Sequence, residues 1–132
     1  MGDNAFLARI EPHGVHVDGL MLSSEQRDDS VVITVGGDLD IVTSPALDDC
    51  LAEARASANR IVVDLSGVDF MDTSALAVIV GHWKKLEAAG GSLALAGARY
   101  RYTKTLWITG LADRLSLYDT VEAALSSGDV DA

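Results

Sequence analysis

The stretch "RIVVDL", Arg60 to Leu65, sets Ile, Val, Val and Leu around a single carboxylate. A strand with one wet face alternates apolar and polar residues, so a nearly unbroken apolar run needs cover on both faces. The flanking sequence offers that cover. Upstream, "TSPALDDCLAEARA" places Leu47, Cys50, Leu51, Ala54 and Ala58 along one helical face. Downstream, Leu76, Ile79, Val80, Trp83 and Leu86 form a second stripe, with Lys84 and Lys85 on the outside. An apolar strand between two amphipathic helices points to a parallel α/β sheet.

Punctuation elsewhere extends the pattern. "LMLSSEQ" and "VVITV" (Val31 to Val35) have strand composition, with "RDDS" as the turn between them and Gly36-Gly37 as the stop. Ser44 is expected to cap the first helix, with Pro45 at its first position. The second helix is expected to begin near Ser74 and to stop at Gly90-Gly91. "SLALAGA" and "LSLYD" have the makings of strands, and "TKTLWITGL" of a short helix closed at Gly110. "TVEAALSSG" is expected to be a last helix, Asp119 and Glu122 forming its capping box. The order is β, β, α, β, α, β, α, β, α, with right-handed crossovers and an antiparallel edge from the two early strands.

The expectation is one α/β domain: a central, mostly parallel mixed sheet of about four to five strands with about four helices. Residues 1–19 form an N-terminal extension in which "FLARI" and "VHV" are either short strands or loose chain. Residues 20–127 form the domain, and 128–132 a frayed tail, fraying being expected from "SSGDVDA" onward.

Composition excludes several function classes. A net charge of −10 and few clustered Lys or Arg argue against nucleic acid as a partner. The single cysteine, Cys50, rules out an internal disulfide and a Cys-rich metal site, and its place on a helical stripe makes it a buried thiol. No run of about 18 apolar residues is present, no basic-then-apolar leader opens the chain, and Phe6 breaks the myristoylation pattern. The expected setting is the cytoplasm, without a membrane. No cofactor and no metal are expected.

Chemistry is most concentrated in "FMDTSALAVIV", Phe70 to Val80, where Asp72, Thr73 and Ser74 interrupt apolar sequence at a strand-to-helix junction. One of them must cap the helix, because the first turn leaves four N–H groups unpaired. A nucleophile is a second reading, but "MDTSA" lacks the glycines of G-x-S-x-G, and His82 lies about 12 Å along the helix from Ser74. His13 and His16 fall in the extension, and each histidine is expected at the surface or half-buried. A third site is "DLDIV", Asp38 to Val42, which resembles the D-x-D opening of haloacid-dehalogenase-like phosphatases. There Asp38 would be nucleophile and Asp40 acid/base. The chain is short for that fold and lacks a downstream Lys and acidic pair for Mg²⁺.

"GGDLDIVTSPAL", "RIVVDLSGVDFMDTSALAVIV", "GGSLALAGA" and "LWITGLADRLSLYDTVEAAL" together resemble a bacterial STAS domain of the anti-sigma-factor antagonist type. The resemblance runs from about Leu20 to Leu125. It implies a STAS-like fold and a phosphorylation switch. Unphosphorylated, such a protein binds an anti-sigma factor that is also a serine kinase and frees the sigma factor; phosphorylation ends the binding. By position Ser74 is the implied phosphosite, with Thr73 the runner-up, and Asp40 and Asp72 are the carboxylates beside it. Asp40, Asp72, Thr73, Ser74 and Ala75 are the implied partner contacts. Ala75-Leu76-Ala77 stands where the family usually has Gly-Leu-Gly, which keeps the positions small but removes glycine's freedom. A STAS scaffold subunit of a signalling or transport complex, without a switch, is the alternative.

Overall fold

The computed structural model describes residues 15–17, 19–99 and 115–130. Its strands are β1 (Val15–Val17), β2 (Leu20–Arg27), β3 (Ser30–Leu39), β4 (Arg60–Met71), β5 (Ser92–Ala96) and β6 (Ser116–Tyr118). Its helices are α1 (Ser44–Ser57), α2 (Thr73–Ala88) and α3 (Val121–Val130). The strands lie in sequence order in one sheet of six, antiparallel from β1 to β3 and parallel from β3 to β6. The expected mixed, mostly parallel sheet is present, and the added sixth strand is "VHV", which pairs with Leu20–Leu22. "FLARI" and "TKTLWITGL" lie outside the described residues.

The β4 run is covered on both faces. Ile61, Val63 and Leu65 join Val31, Ile33, Val35 and Leu39 beneath α1 and α2. Val62 and Val32 point the other way, with Ala96 of β5, to Ala124 of α3. Cys50 is buried in the first of these layers. Gly90, with φ +84°, closes α2 as expected, and the Gly91 N–H reaches back to the Leu86 carbonyl (2.7 Å).

Several local expectations are corrected. Gly36-Gly37 do not stop β3; they form an irregularity through which it runs on to Leu39. Gly37 has φ +93°, and a Cβ there would sit 2.0 Å from the Gly19 carbonyl oxygen, so only glycine lets β3 pass this close to the turn before β2. β4 likewise continues past Leu65, where the apolar run ends, to Met71, pairing Phe70 with Asp38 and Met71 with Leu39. Asp119 does not cap α3: the Thr120 hydroxyl accepts from the Ala123 N–H (3.1 Å). That helix extends to Val130, into the stretch expected to fray.

His82 is neither at the surface nor half-buried. It is 4% exposed between α1 and α2, its Nδ1 accepting from Arg55 Nε–H (2.9 Å) and its Nε2 facing Asp48 Oδ1 (2.5 Å). Because Nδ1 accepts, Nε2 carries the ring proton and donates to Asp48. Two polar partners on α1 explain how an imidazole is accepted there.

Candidate functional site

The long extensions of β3 and β4 determine where the polar cluster sits. Leu39 pairs with Met71, and the Asp72 N–H donates to the Leu39 carbonyl (3.0 Å). The two strands therefore end together, and the chains leaving them start α1 and α2 side by side.

Asp72 is the N-cap of α2, in extended conformation. Its Oδ1 accepts from the N–H groups of Ser74 (2.9 Å) and Ala75 (3.3 Å) and from the Ser74 hydroxyl (2.5 Å). These donors favour the charged form, the Ser74 hydroxyl most, and hold the Asp72 carboxyl below its ordinary value even though partial burial works against them. Of the three residues that sequence offers as cap, the side chain of Asp72 is the one used.

Asp40 builds the loop instead. Its Oδ1 accepts from the N–H groups of Val42 (2.9 Å) and Thr43 (3.0 Å) and lies 3.2 Å from the Thr43 hydroxyl, which donates to the Asp38 carbonyl (2.8 Å). This is an Asx-type turn, and it accounts for the second carboxylate of "DLDIV" without acid/base chemistry. Thr43 stands at the N-cap position of α1 with no side-chain cap bond. Ser44 is not a cap. It is the first helical residue, and its hydroxyl donates to the Asp40 carbonyl (2.5 Å) and lies 3.1 Å from the Ser74 hydroxyl.

The expected residues therefore separate. Asp72 and Ser74 are bonded directly, and Asp40 reaches Ser74 through Ser44. Thr73 is exposed, with no side-chain hydrogen bond among the described residues, whereas Ser74 is half-buried. Ala75 is 0% exposed, so it lies beneath the surface a partner would meet; the exposed member of the Ala-Leu-Ala run is Ala77.

Two features are not found by sequence reasoning. One is the Ser44–Ser74 contact, since cap statistics assign Ser44 a different task. The other is apolar exposure: Ile41 (74%), Val42 (62%), Phe70 (50%) and Met21 (48%) are the exposed large hydrophobics among the described residues. All stand at the end of the sheet where β3 and β4 finish and β2 begins. For Ile41 and Val42 a signal exists, as they fall in a turn that neither strand nor helix periodicity buries.

Comparison with known proteins agrees with this architecture. The model of the family described as STAS domain matches residues 21–124. An anti-sigma-B factor antagonist of Staphylococcus aureus is 32% identical over 104 residues, covering 78% of this chain and 96% of that protein. The crystal structure of an anti-sigma factor antagonist from Mycobacterium paratuberculosis superposes with a TM-score of 0.74 at 27% identity, covering 85% of this chain and 96% of that one. The Bacillus cell fate determinant SpoIIAA in its phosphorylated form shares the fold (TM-score 0.68, 23% identity, 80% of this chain and 97% of that one).

Proposed function

Because the chain belongs to the STAS domain family, we propose that it is an anti-sigma-factor antagonist, a binding protein of the cytoplasm rather than an enzyme. Unphosphorylated, it holds an anti-sigma factor that is also a serine kinase, and the sigma factor goes free. Phosphorylation of Ser74 ends that complex. The names of its relatives support the antagonist role. The switch is supported by one observation: the Ser74 hydroxyl stands at the start of α2, bonded to a carboxylate, at the sheet end that exposes Ile41, Val42 and Phe70. In this reading Asp40, Asp72, Thr73 and Ser74 form the polar part of the partner surface, and Ala75 is its small floor.

The energetics favour a change of affinity over a change of fold. A phosphoserine adds about −1.5 to −2 charges. The N-terminus of α2 favours an anion there by ~0.3–2 kcal/mol, and the Asp72 carboxylate, 2.5 Å from the Ser74 hydroxyl, opposes it. Within the domain these terms oppose one another. At an interface the phosphate must also be desolvated, and every ~1.4 kcal/mol lost weakens binding tenfold.

Incubation with an anti-sigma kinase and ATP, followed by peptide mass spectrometry, tests the reading. One phosphate is expected on Ser74, absent in Ser74→Ala, and Ser74→Asp is expected to weaken the complex at least tenfold. A phosphate on Thr73 would move the acceptor by one residue. No phosphate on either would end the switch, and a complex indifferent to Ser74→Asp would leave the scaffold role.

A further inference from the structure

We propose that Ser44 is a positioning residue that restrains the phosphorylation of Ser74, holding its hydroxyl in an inward orientation that cannot accept a phosphoryl group. The inference rests on Ser74 being the phosphosite.

Three short contacts join Asp40, Ser44, Ser74 and Asp72, but the two hydroxyls own one proton each. The Ser74 proton lies toward Asp72 Oδ1 (2.5 Å), whereas the Ser44 proton is shared between the Asp40 carbonyl (2.5 Å), which already accepts from the backbone N–H of residue 44, and the Ser74 oxygen (3.1 Å). The Ser74 oxygen is thus hemmed in by a carboxylate on one side and a buried hydroxyl, 5% exposed, on the other.

In the transfer, Ser74 Oγ forms a bond to the γ-phosphorus of ATP. The bond from that phosphorus to the β,γ-bridging oxygen breaks, ADP leaves, and the serine proton passes to a carboxylate base of the kinase. The new group brings three oxygens and a second negative charge. Asp72 Oδ1 at 2.5 Å and the Ser44 oxygen at 3.1 Å flank Ser74 Oγ, so in this proposal Ser74 turns about χ1 to another staggered position before it reacts. That turn gives up the Ser44 contact. The Asp72 cap survives it, because the Ser74 and Ala75 N–H groups remain bonded.

Ser44→Ala isolates this step. The Asp40 carbonyl keeps its bond from the backbone N–H of residue 44 (2.8 Å), so the variant leaves no buried acceptor unpaired. With purified anti-sigma kinase and ATP, its kcat for Ser74 phosphorylation is expected to rise about two- to tenfold, the factor for one neutral hydrogen bond. KM and the affinity of the unphosphorylated chain for the kinase should stay near wild type, and Ser44→Cys should fall between. Independently of any kinase, NMR couplings should show a single Ser74 χ1 rotamer in wild type and an averaged one in Ser44→Ala. An unchanged or lower kcat, or an averaged wild-type rotamer, overturns the restraint. A wild-type Ser74 left unmodified overturns the switch reading, and the restraint falls with it.

Discussion

Asp72 joins two tasks on one carboxylate oxygen. It closes the first turn of α2 by accepting from the N–H groups of Ser74 and Ala75, and it holds the hydroxyl of Ser74. Replacing an N-cap aspartate by alanine costs ~0.5–2 kcal/mol. Asp72→Ala is therefore expected to lower stability by about 1 kcal/mol at pH 7, read by urea unfolding. The pH dependence has a definite sign. The native carboxyl titrates below its ordinary value, so its stabilisation is complete above the unfolded value near ~3.9. It shrinks as the pH falls below that, and is gone beneath the depressed native value. Asp72→Asn removes the titration, so the stability gap between wild type and Asp72→Asn should narrow from pH 6 toward pH 3. A gap that stayed constant would mean that the carboxylate is not what caps α2.

At the scale of elements, α1 and α2 are held together twice. Ser44 and Ser74 meet at their starts, and farther along His82 of α2 sits between Asp48 and Arg55 of α1. His82 is buried while Asp48 is 57% exposed, so the two ends of this clamp should respond differently to truncation. His82→Ala is expected to cost about 2–3 kcal/mol, since it opens a void and leaves Arg55 without its acceptor. Asp48→Ala should cost under ~1 kcal/mol, because water can take its place. Thermal unfolding of both variants measures the contrast, and equal losses would show that the exposed Asp48 contact contributes as much as burial of the imidazole.

Periodicity made α1, α2 and the parallel core of the sheet legible, because the Leu47–Ala54 and Leu76–Leu86 stripes and the "RIVVDL" run report burial directly. It failed where backbone pairing overrides composition. Gly36 and Gly37 have the look of stops, yet β3 runs on through them, since the missing side chain of Gly37 lets the Gly19 backbone approach. Helix-cap chemistry narrowed the cap to Asp72, Thr73 and Ser74, and only the family resemblance singled out Ser74 among them. The partners Ser44 and Thr43 were not legible, because their roles depend on the two strands ending in register. His82 was misplaced because sequence does not show which polar groups face it across a helix pair.

The whole molecule carries a net charge of −10, and Asp38, Asp40, Asp69 and Asp72 lie at the same sheet end as exposed Ile41, Val42 and Phe70. Apolar residues ringed by one sign of charge suit a partner that is apolar at its centre and basic around it. The two components should separate in kinetics. Charge steers the encounter over distances set by the Debye length, about 8 Å at physiological salt, so it acts on association. Buried apolar anchors hold the formed complex, so they act on dissociation. With the anti-sigma kinase as partner, raising salt from about 50 to about 500 mM is expected to slow association several-fold with little change in dissociation. The double variant Ile41→Ser, Val42→Ser should speed dissociation at least tenfold, roughly 1.4 kcal/mol or more, and leave association within about twofold. It should also keep the wild-type unfolding midpoint, since neither side chain is part of the core. Surface plasmon resonance across the salt series reads both rates. A double variant that dissociates like wild type would move the apolar anchors elsewhere. Concentration-dependent dimers in sedimentation that the same variant abolishes would instead assign this end of the sheet to a second copy of the chain.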